Sequence, residues 1–460
     1  MLKMSMASPA KLSIISFQKD QVETLQSEVD AQVQEPHEWL APLMVEGAFP
    51  DEALQRRAGD ADLLVVAGNL EGLPYADHLA KAAMPMVLTD SPLVFHPFQA
   101  PLRHQLQRRG AVVLPADRPA SIAASIRAVA ARRQLRLSRV LLCTAPARNE
   151  GEQDSHKRMD AAALERLGVT VIRRPVGELE QRGARVPVEP ARETLYHWRR
   201  TLIGNVGPHL PEAHLLDVAR LYQAEKALLA EARANALGVE EFAPFLFEHK
   251  AMPNVTYAIL KDEGITCTEE ADLPCLLTEM LLAAVQRQQV TMSNIYTAYR
   301  HEFERQPDGP YTPEQQRADY EQCRQDQCAV VAHFSTAGSL PRNMMAEERY
   351  DIVETLPAWP GQSMVAARPR TQPVLLARLW EECERIDLFG PCDVVDARQD
   401  PRWGWYRGRW LVRLPAFDVF AAQSIHTHYA IAPHAQPEAL EILLRYLLKI
   451  PVGCSRQDAI

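Results

Sequence analysis

Three acidic side chains crowd the stretch "ITCTEEADLPCLL": Glu269, Glu270 and Asp272. Two kinds of chemistry suit such a cluster. Carboxylates ahead of an apolar helix favour its positive end, and Asp272 is a good N-cap for a helix that starts at Leu273 with Pro274 in its first turn. Only half of a capping box is available, because Cys275 stands where Glu or Gln would close it. The second chemistry is a cation site. "FAPFLFEH" ends an apolar run on Glu248, and a carboxylate at the end of a buried strand needs a metal, a shared proton or a basic partner such as Lys250 or Arg300. In "IHTHYAIAPH", His426 and His428 stand two apart and share one face of a strand. Neutral imidazole beside carboxylates is a common donor set for a divalent metal.

Such residues do chemistry only if the fold gathers them. "PFLFEH" and "ITCT" read as strands, with "NVTYAILKDEG" between them as a helix stopped by Gly264. A right-handed crossover makes the two strands parallel neighbours, so Glu248 and the acidic cluster fall at their carboxyl ends, where α/β sheets hold ligands. The preceding "LLDVARLYQAEKALLAEARANALG" reads as one long helix stopped by Gly238. Upstream, "LSIISF", "DLLVVAG", "PMVLTD" and "AVVLPA" read as buried strands alternating with helices. After a basic helix ending near Arg136, "SRVLLCT" and "VTVIRRP" repeat the theme. Beyond residue 290, Pro- and Trp-rich segments such as "DPRWGWYRGRWLVRLPAF" predict short antiparallel strands. The expected fold class is α/β: two doubly wound parallel-sheet domains (1–136 and 137–288) followed by a β-rich, barrel-like C-terminal domain (289–460).

Composition narrows the function. With 47% hydrophobic and 24% charged residues the chain has the balance of a soluble globular protein, and a net charge of −9 argues against nucleic acid as its main ligand. The basic runs "RHQLQRRG" and "AARRQLRLSR" read as solvated helix faces. Eight scattered cysteines form no CxxC pair, so neither a zinc ribbon nor a disulfide framework is expected. The opening residues lack an apolar core adequate for an export signal, and no apolar run approaches a membrane span of about 20 residues. A cytoplasmic protein acting on a small molecule is the expectation, with neither nucleic acid nor membrane as partner.

Several of these segments together resemble the L-fucose isomerase and L-arabinose isomerase family. "HTHYAIAPHAQPEALEILLRYLLKIPV" is similar to the family's closing segment, "DPRWGW" to its Asp-Pro-x-Trp stretch, and "CTEEADLPCLLTEMLL" to its Glu-x-Asp segment. "AHFSTAGS" around His333 resembles a further segment, and the likeness spans roughly residues 240–455. It implies Glu248, Asp272 and His428 as ligands of a divalent cation, Mn²⁺, with Glu248 and Asp272 also exchanging protons with substrate. Glu270, His333, Trp403 and His426 are expected to face the substrate or to support the ligands. Trp403 and Trp405 suit either a sugar-facing wall or core packing. Thr427 stands where the fucose isomerases have an asparagine near the sugar, a departure that bears on substrate rather than on metal. The resemblance further implies a homo-oligomer, a hexamer or trimer. The expected reaction is aldose–ketose isomerisation of a small sugar or sugar-like polyol through an enediolate. The same metal site would also suit epimerisation or decarboxylation of a hydroxy-carbonyl compound, and a non-catalytic sugar-binding protein is the third reading.

Overall fold

The computed structural model describes residues 9–46, 49–67, 72–89, 99–240, 253–297, 312–333, 339–356, 359–399, 408–415, 417–423 and 428–453. Glu248, Trp403, Trp405 and His426 lie outside the described residues. The chain forms two compact units, one chiefly Ser5–Leu137 with Gln436–Pro451, the other chiefly Ser138–Ala435.

In the first unit β1 (Ala10–Ser16), β2 (His37–Trp39), β3 (Leu43–Met44), β4 (Leu63–Ala67) and β5 (Met86–Leu88) form a parallel sheet of order β2-β1-β4-β5, with β3 pairing the end of β1. Every residue of β4 and β5 is buried, as an apolar run covered on both faces requires. The alternating helices are α1 (Lys19–Gln32), α2 (Asp51–Asp60), α3 (Ala76–Ala80), α4 (Gln99–Arg108) and α5 (Pro119–Arg136). Proline opens α5 at a position where its missing N–H costs nothing, and Arg133 and Arg136 close it. "AVVLPA", expected as a strand, contributes a single bridge from Val113 to Met86. The segment Gln436–Pro451 supplies a helix, Pro437–Glu441 widening into π-turns over Ile442–Leu448, that packs on α5.

The second unit begins with β6 (Arg139–Thr144), α6 (Glu150–Ala162), β7 (Thr170–Pro175), α7 (Val176–Arg185), α8 (Val188–Thr201), β8 (Ile203–Val206), α9 (Glu212–Ala232), β9 (Ala236–Val239), α10 (Asn254–Asp262), β10 (Thr266–Thr268) and α11 (Leu273–Gln286). β10-β9-β6-β7 is a wholly parallel sheet. Among the described residues the neighbour of β10 is β9, a strand hidden in the sequence because an Ala- and Leu-rich helix runs up to it; the expected strand "PFLFEH" lies outside the described residues. Gly238 does not stop that helix; α9 ends at Ala232, with Arg233 taking the left-handed conformation at φ 50. Gly238 lies inside β9 for a steric reason. A Cβ there would stand 2.8 Å from Leu142 Cδ2 and 3.3 Å from the Ala271 Cα, so glycine allows the turn after β10 to press onto β9.

Next come β11 (Thr291–Tyr296), β12 (Cys328–Ala332), β13 (Tyr350–Leu356), β14 (Trp359–Ala366), β15 (Val374–Leu379), β16 (Ile386–Gln399), β17 (Gly408–Arg413), β18 (His428–Pro433) and β19 (Val452–Gly453). Antiparallel pairing in the order β15-β18-β11-β12-β17-β16 closes through β15–β16 into a six-stranded barrel, the β-rich element expected from the sequence. β19 adds to β16 in parallel, while β14, β13 and β8 form a separate small sheet. α11 packs on β15 and β18, and Leu379 N donates to Thr278 Oγ1 at 2.9 Å. Beneath it the fully buried pair Lys261–Glu279, at 3.0 Å with Ser339 as a further partner, ties α10 to α11. One helix therefore fixes the carboxyl edge of the parallel sheet against the barrel.

The Gly238 contact predicts the outcome of filling it. Gly238→Val is expected to destabilise the fold by about 1–3 kcal/mol and to displace residues 269–271. Denaturant unfolding reads the first effect, and Mn²⁺ titration of the folded variant reads the second as lost affinity.

Candidate metal centre

Strand register brings His333 and His428 together. Asn294 on β11 pairs with His428 on one side and with Ala332 on the other, so His428 and His333, the residue after Ala332, approach the same end of the barrel. Their rings lie 5.5 Å apart between centroids, at 71°. The acidic turn Glu269–Ala271 enters from the end of β10. Within it Glu270 (φ 59, ψ 17) and Ala271 (φ 49) are left-handed without being glycine, a conformation that costs about 1–3 kcal/mol per residue and clusters at functional sites.

That turn aims Glu270 between the histidines. Its Oε1 is 3.3 Å from His333 Nε2 and its Oε2 is 3.4 Å from His428 Nε2. One donor atom from each of Glu270, His333 and His428 falls within 4.8 Å of the others, a group able to hold a metal ion. Behind each imidazole stands a second carboxylate. His333 Nδ1 pairs with Glu269, both side chains being almost wholly buried, and His428 Nδ1 lies 3.0 Å from Asp272 Oδ2. Carboxylates on Nδ1 fix ring orientation and turn Nε2 toward Glu270, the usual outer arrangement of metal-binding histidine.

Asp272 is engaged on both oxygens. Oδ1 accepts from Cys275 N at 3.1 Å as the N-cap of α11, while Oδ2 accepts from Arg378 on β15 at 2.6 Å as well as facing His428. Arg378 also donates to the His428 carbonyl at 3.3 Å. Burial opposes ionisation of Asp272, yet Arg378 and His428 outweigh it and hold the carboxyl well below the usual range. Glu270 is likewise lowered: His333 and His428 overcome its burial and the charge of Asp272. His333 moves the other way; burial favours the neutral ring, but Glu269 and Glu270 raise it to about 10. With neutral imidazoles the three carboxylates and Arg378 leave a net of two negative charges, which a divalent cation would cancel.

The donor chemistry therefore fits a divalent ion. Of the expected ligands His428 is in the cluster, Asp272 stands behind it on Nδ1, and Glu248 is outside the described residues. Glu270 and His333, expected as substrate-facing or supporting groups, supply the other two donor atoms. His333 carried a legible signal, since "CAVVAH" ends an apolar run on a polar residue just as "FAPFLFEH" does. Beside the cluster, at the carboxyl ends of β6, β9 and β10, opens a cavity of about 500 Å³ lined by Glu270, Asp272, Arg378, Glu240, Arg148 and His156 among others.

No family model matches the chain, and no curated protein matches it. Among solved structures, a putative two-component response regulator/GGDEF domain protein aligns at 13% identity and TM-score 0.23, covering 60% of this chain and 98% of that one. A carbohydrate transporter from Acidothermus cellulolyticus 11B, solved with myo-inositol, aligns at 11% identity and TM-score 0.17, covering 61% of this chain and 89% of that one. At these TM-scores neither likeness bears on fold or function.

Because the folded His333 sits above an unfolded imidazole near 6.5, its contribution to metal-free stability is full below about pH 6.5 and is lost as pH rises toward about 10. A metal must displace that proton. Titration with Mn²⁺ at about pH 8 is expected to release about one proton per ion, with affinity rising from neutral toward alkaline pH. Calorimetry in buffers of different ionisation enthalpy checks this, and a pH-independent affinity would contradict it. Asp272→Asn is expected to weaken Mn²⁺ binding about 10–100-fold while His428 remains in place.

Proposed function

We propose that the chain is a metal-dependent ketol isomerase acting on a small sugar or sugar-like polyol through an enediolate. The observation that carries the reading is the Glu270–His333–His428 cluster, whose Glu270 lines a polar cavity at the carboxyl edge of a parallel sheet. Carboxylate and imidazole donors suit Mn²⁺. When bound, a divalent cation supplies Lewis-acid polarisation of a carbonyl oxygen.

The protein's own groups divide the remaining work. Glu270 faces the cavity and is held ionised, so it is suited to accept a hydroxyl proton and return it. Arg378 is 6% exposed and lines the same cavity, where its guanidinium, held by Asp272, would favour a substrate oxygen by its positive charge. Asp272, bound by Arg378, orients His428 more readily than it takes up a proton. Glu248 keeps the role in proton exchange with substrate that the family resemblance implies. The proposal extends to a homo-oligomer, trimeric or hexameric, in the cytoplasm; no disulfide joins the described cysteines, and no described helix is long and apolar enough to cross a membrane.

Protein purified without chelators, assayed on a panel of aldoses and ketoses in D₂O, tests the reading. Turnover should place deuterium on the carbon next to the carbonyl and yield the ketose of a supplied aldose. It should stop in EDTA and fall about 100-fold or more in Glu270→Gln. Undiminished turnover in EDTA would refute the metal-dependent reaction, and an epimer as sole product would refute the isomerase.

A further inference from the structure

The basic run "AARRQLRLSR" has no part in the proposed reaction. Its Arg132, Arg133 and Arg136 end α5 and, with Lys11 of β1, line a cavity of about 400 Å³ at the amino-terminal ends of β1, β4 and β5. The same wall carries Asp60 and Asp62. Asp62 is already committed: its Oδ2 accepts from Lys11 N at 2.8 Å and from Arg133 at 3.0 Å. Among the described residues no carboxylate pairs with the Lys11 ammonium or with the guanidinium of Arg132 or Arg136.

Arg132 and Arg136 are one helical turn apart, where like charges repel. Burial and then the charge of Arg136 lower the pKa of Arg132, the mark of a cation short of water and of counter-charge. Complementing the helix dipole accounts for exposed arginines at a helix end. It does not account for gathering a lysine from a neighbouring strand into the same concave wall.

We infer that this cavity is a binding site for a small phosphate-bearing anion, held by Lys11, Arg132 and Arg136. Against Asp60 these three cations leave two net positive charges, which match a phosphate monoester and exceed a carboxylate. The cavity admits a compact ligand, and the chain's net charge of −9 opposes a long polyanion. The site belongs to the unit that carries none of the metal-cluster residues, so its occupation is separable from metal binding.

Isothermal titration with inorganic phosphate at low ionic strength tests the inference. Saturable binding with a Kd of about 1 mM or tighter is expected. Arg132→Gln and Arg136→Gln should each weaken it roughly tenfold or more. Arg108→Gln, an exposed arginine on α4 outside the cavity, should leave it unchanged. Arg136 is exposed, so its variant keeps the test decisive if Arg132→Gln unsettles the helix. Glucose 6-phosphate binding more tightly than inorganic phosphate identifies a phosphorylated metabolite, and the reverse identifies free phosphate. No binding by the unaltered protein, or equal weakening by Arg108→Gln, overturns the site.

Discussion

Two carboxylate–imidazole pairs govern the organisation of this protein's candidate site. Glu269 and His333 are each about 1% exposed, and neither would be stable there alone. Burying one charge without the other costs several kcal/mol, so the turn after β10 and the end of β12 must meet. Asp272 and His428 repeat the relation nearer the cavity, with Arg378 as a third member. Once both pairs form, each ring presents Nε2 to Glu270 and the site's net charge is set.

The supporting architecture follows from that requirement. The parallel sheet delivers acidic residues at its carboxyl edge, and the barrel delivers the imidazoles and Arg378. α11 holds the two together through apolar packing, the Asp272 cap and the Thr278 contact. Its cost is visible in the backbone, where Glu270 and Ala271 adopt left-handed conformations and Gly238 gives up a side chain to admit them. Strain at the turn that bears Glu270 is what a preorganised site accommodates.

Much of the fold was legible in the sequence. Apolar runs such as "DLLVVAG" and "SRVLLCT" are strands because each is long enough to cross a buried sheet and bounded by polar residues. The C-terminal barrel followed from short strands punctuated by Pro and Gly. β9 was hidden because helical composition runs into it without a glycine or proline break at Arg233. At the site, residue types identified the neighbourhood, since Glu270, Asp272, His333 and His428 do converge. Their roles depend on which oxygen or nitrogen faces which partner. Nothing in the spacing of "EEAD" says that the first and third acids stand behind histidines while the middle one faces the cavity; the left-handed turn at Glu270 decides it.

The central claim is therefore one of atoms: Nε2 of both histidines and an oxygen of Glu270 share one cation, with Glu269 and Asp272 behind the rings. Anomalous diffraction from crystals grown with Mn²⁺ measures this directly. The account predicts one peak about 2.2 Å from His333 Nε2, His428 Nε2 and a Glu270 oxygen. A peak bonded to Asp272 in place of Glu270, or an empty cluster in crystals of protein shown to bind Mn²⁺ in solution, would contradict it.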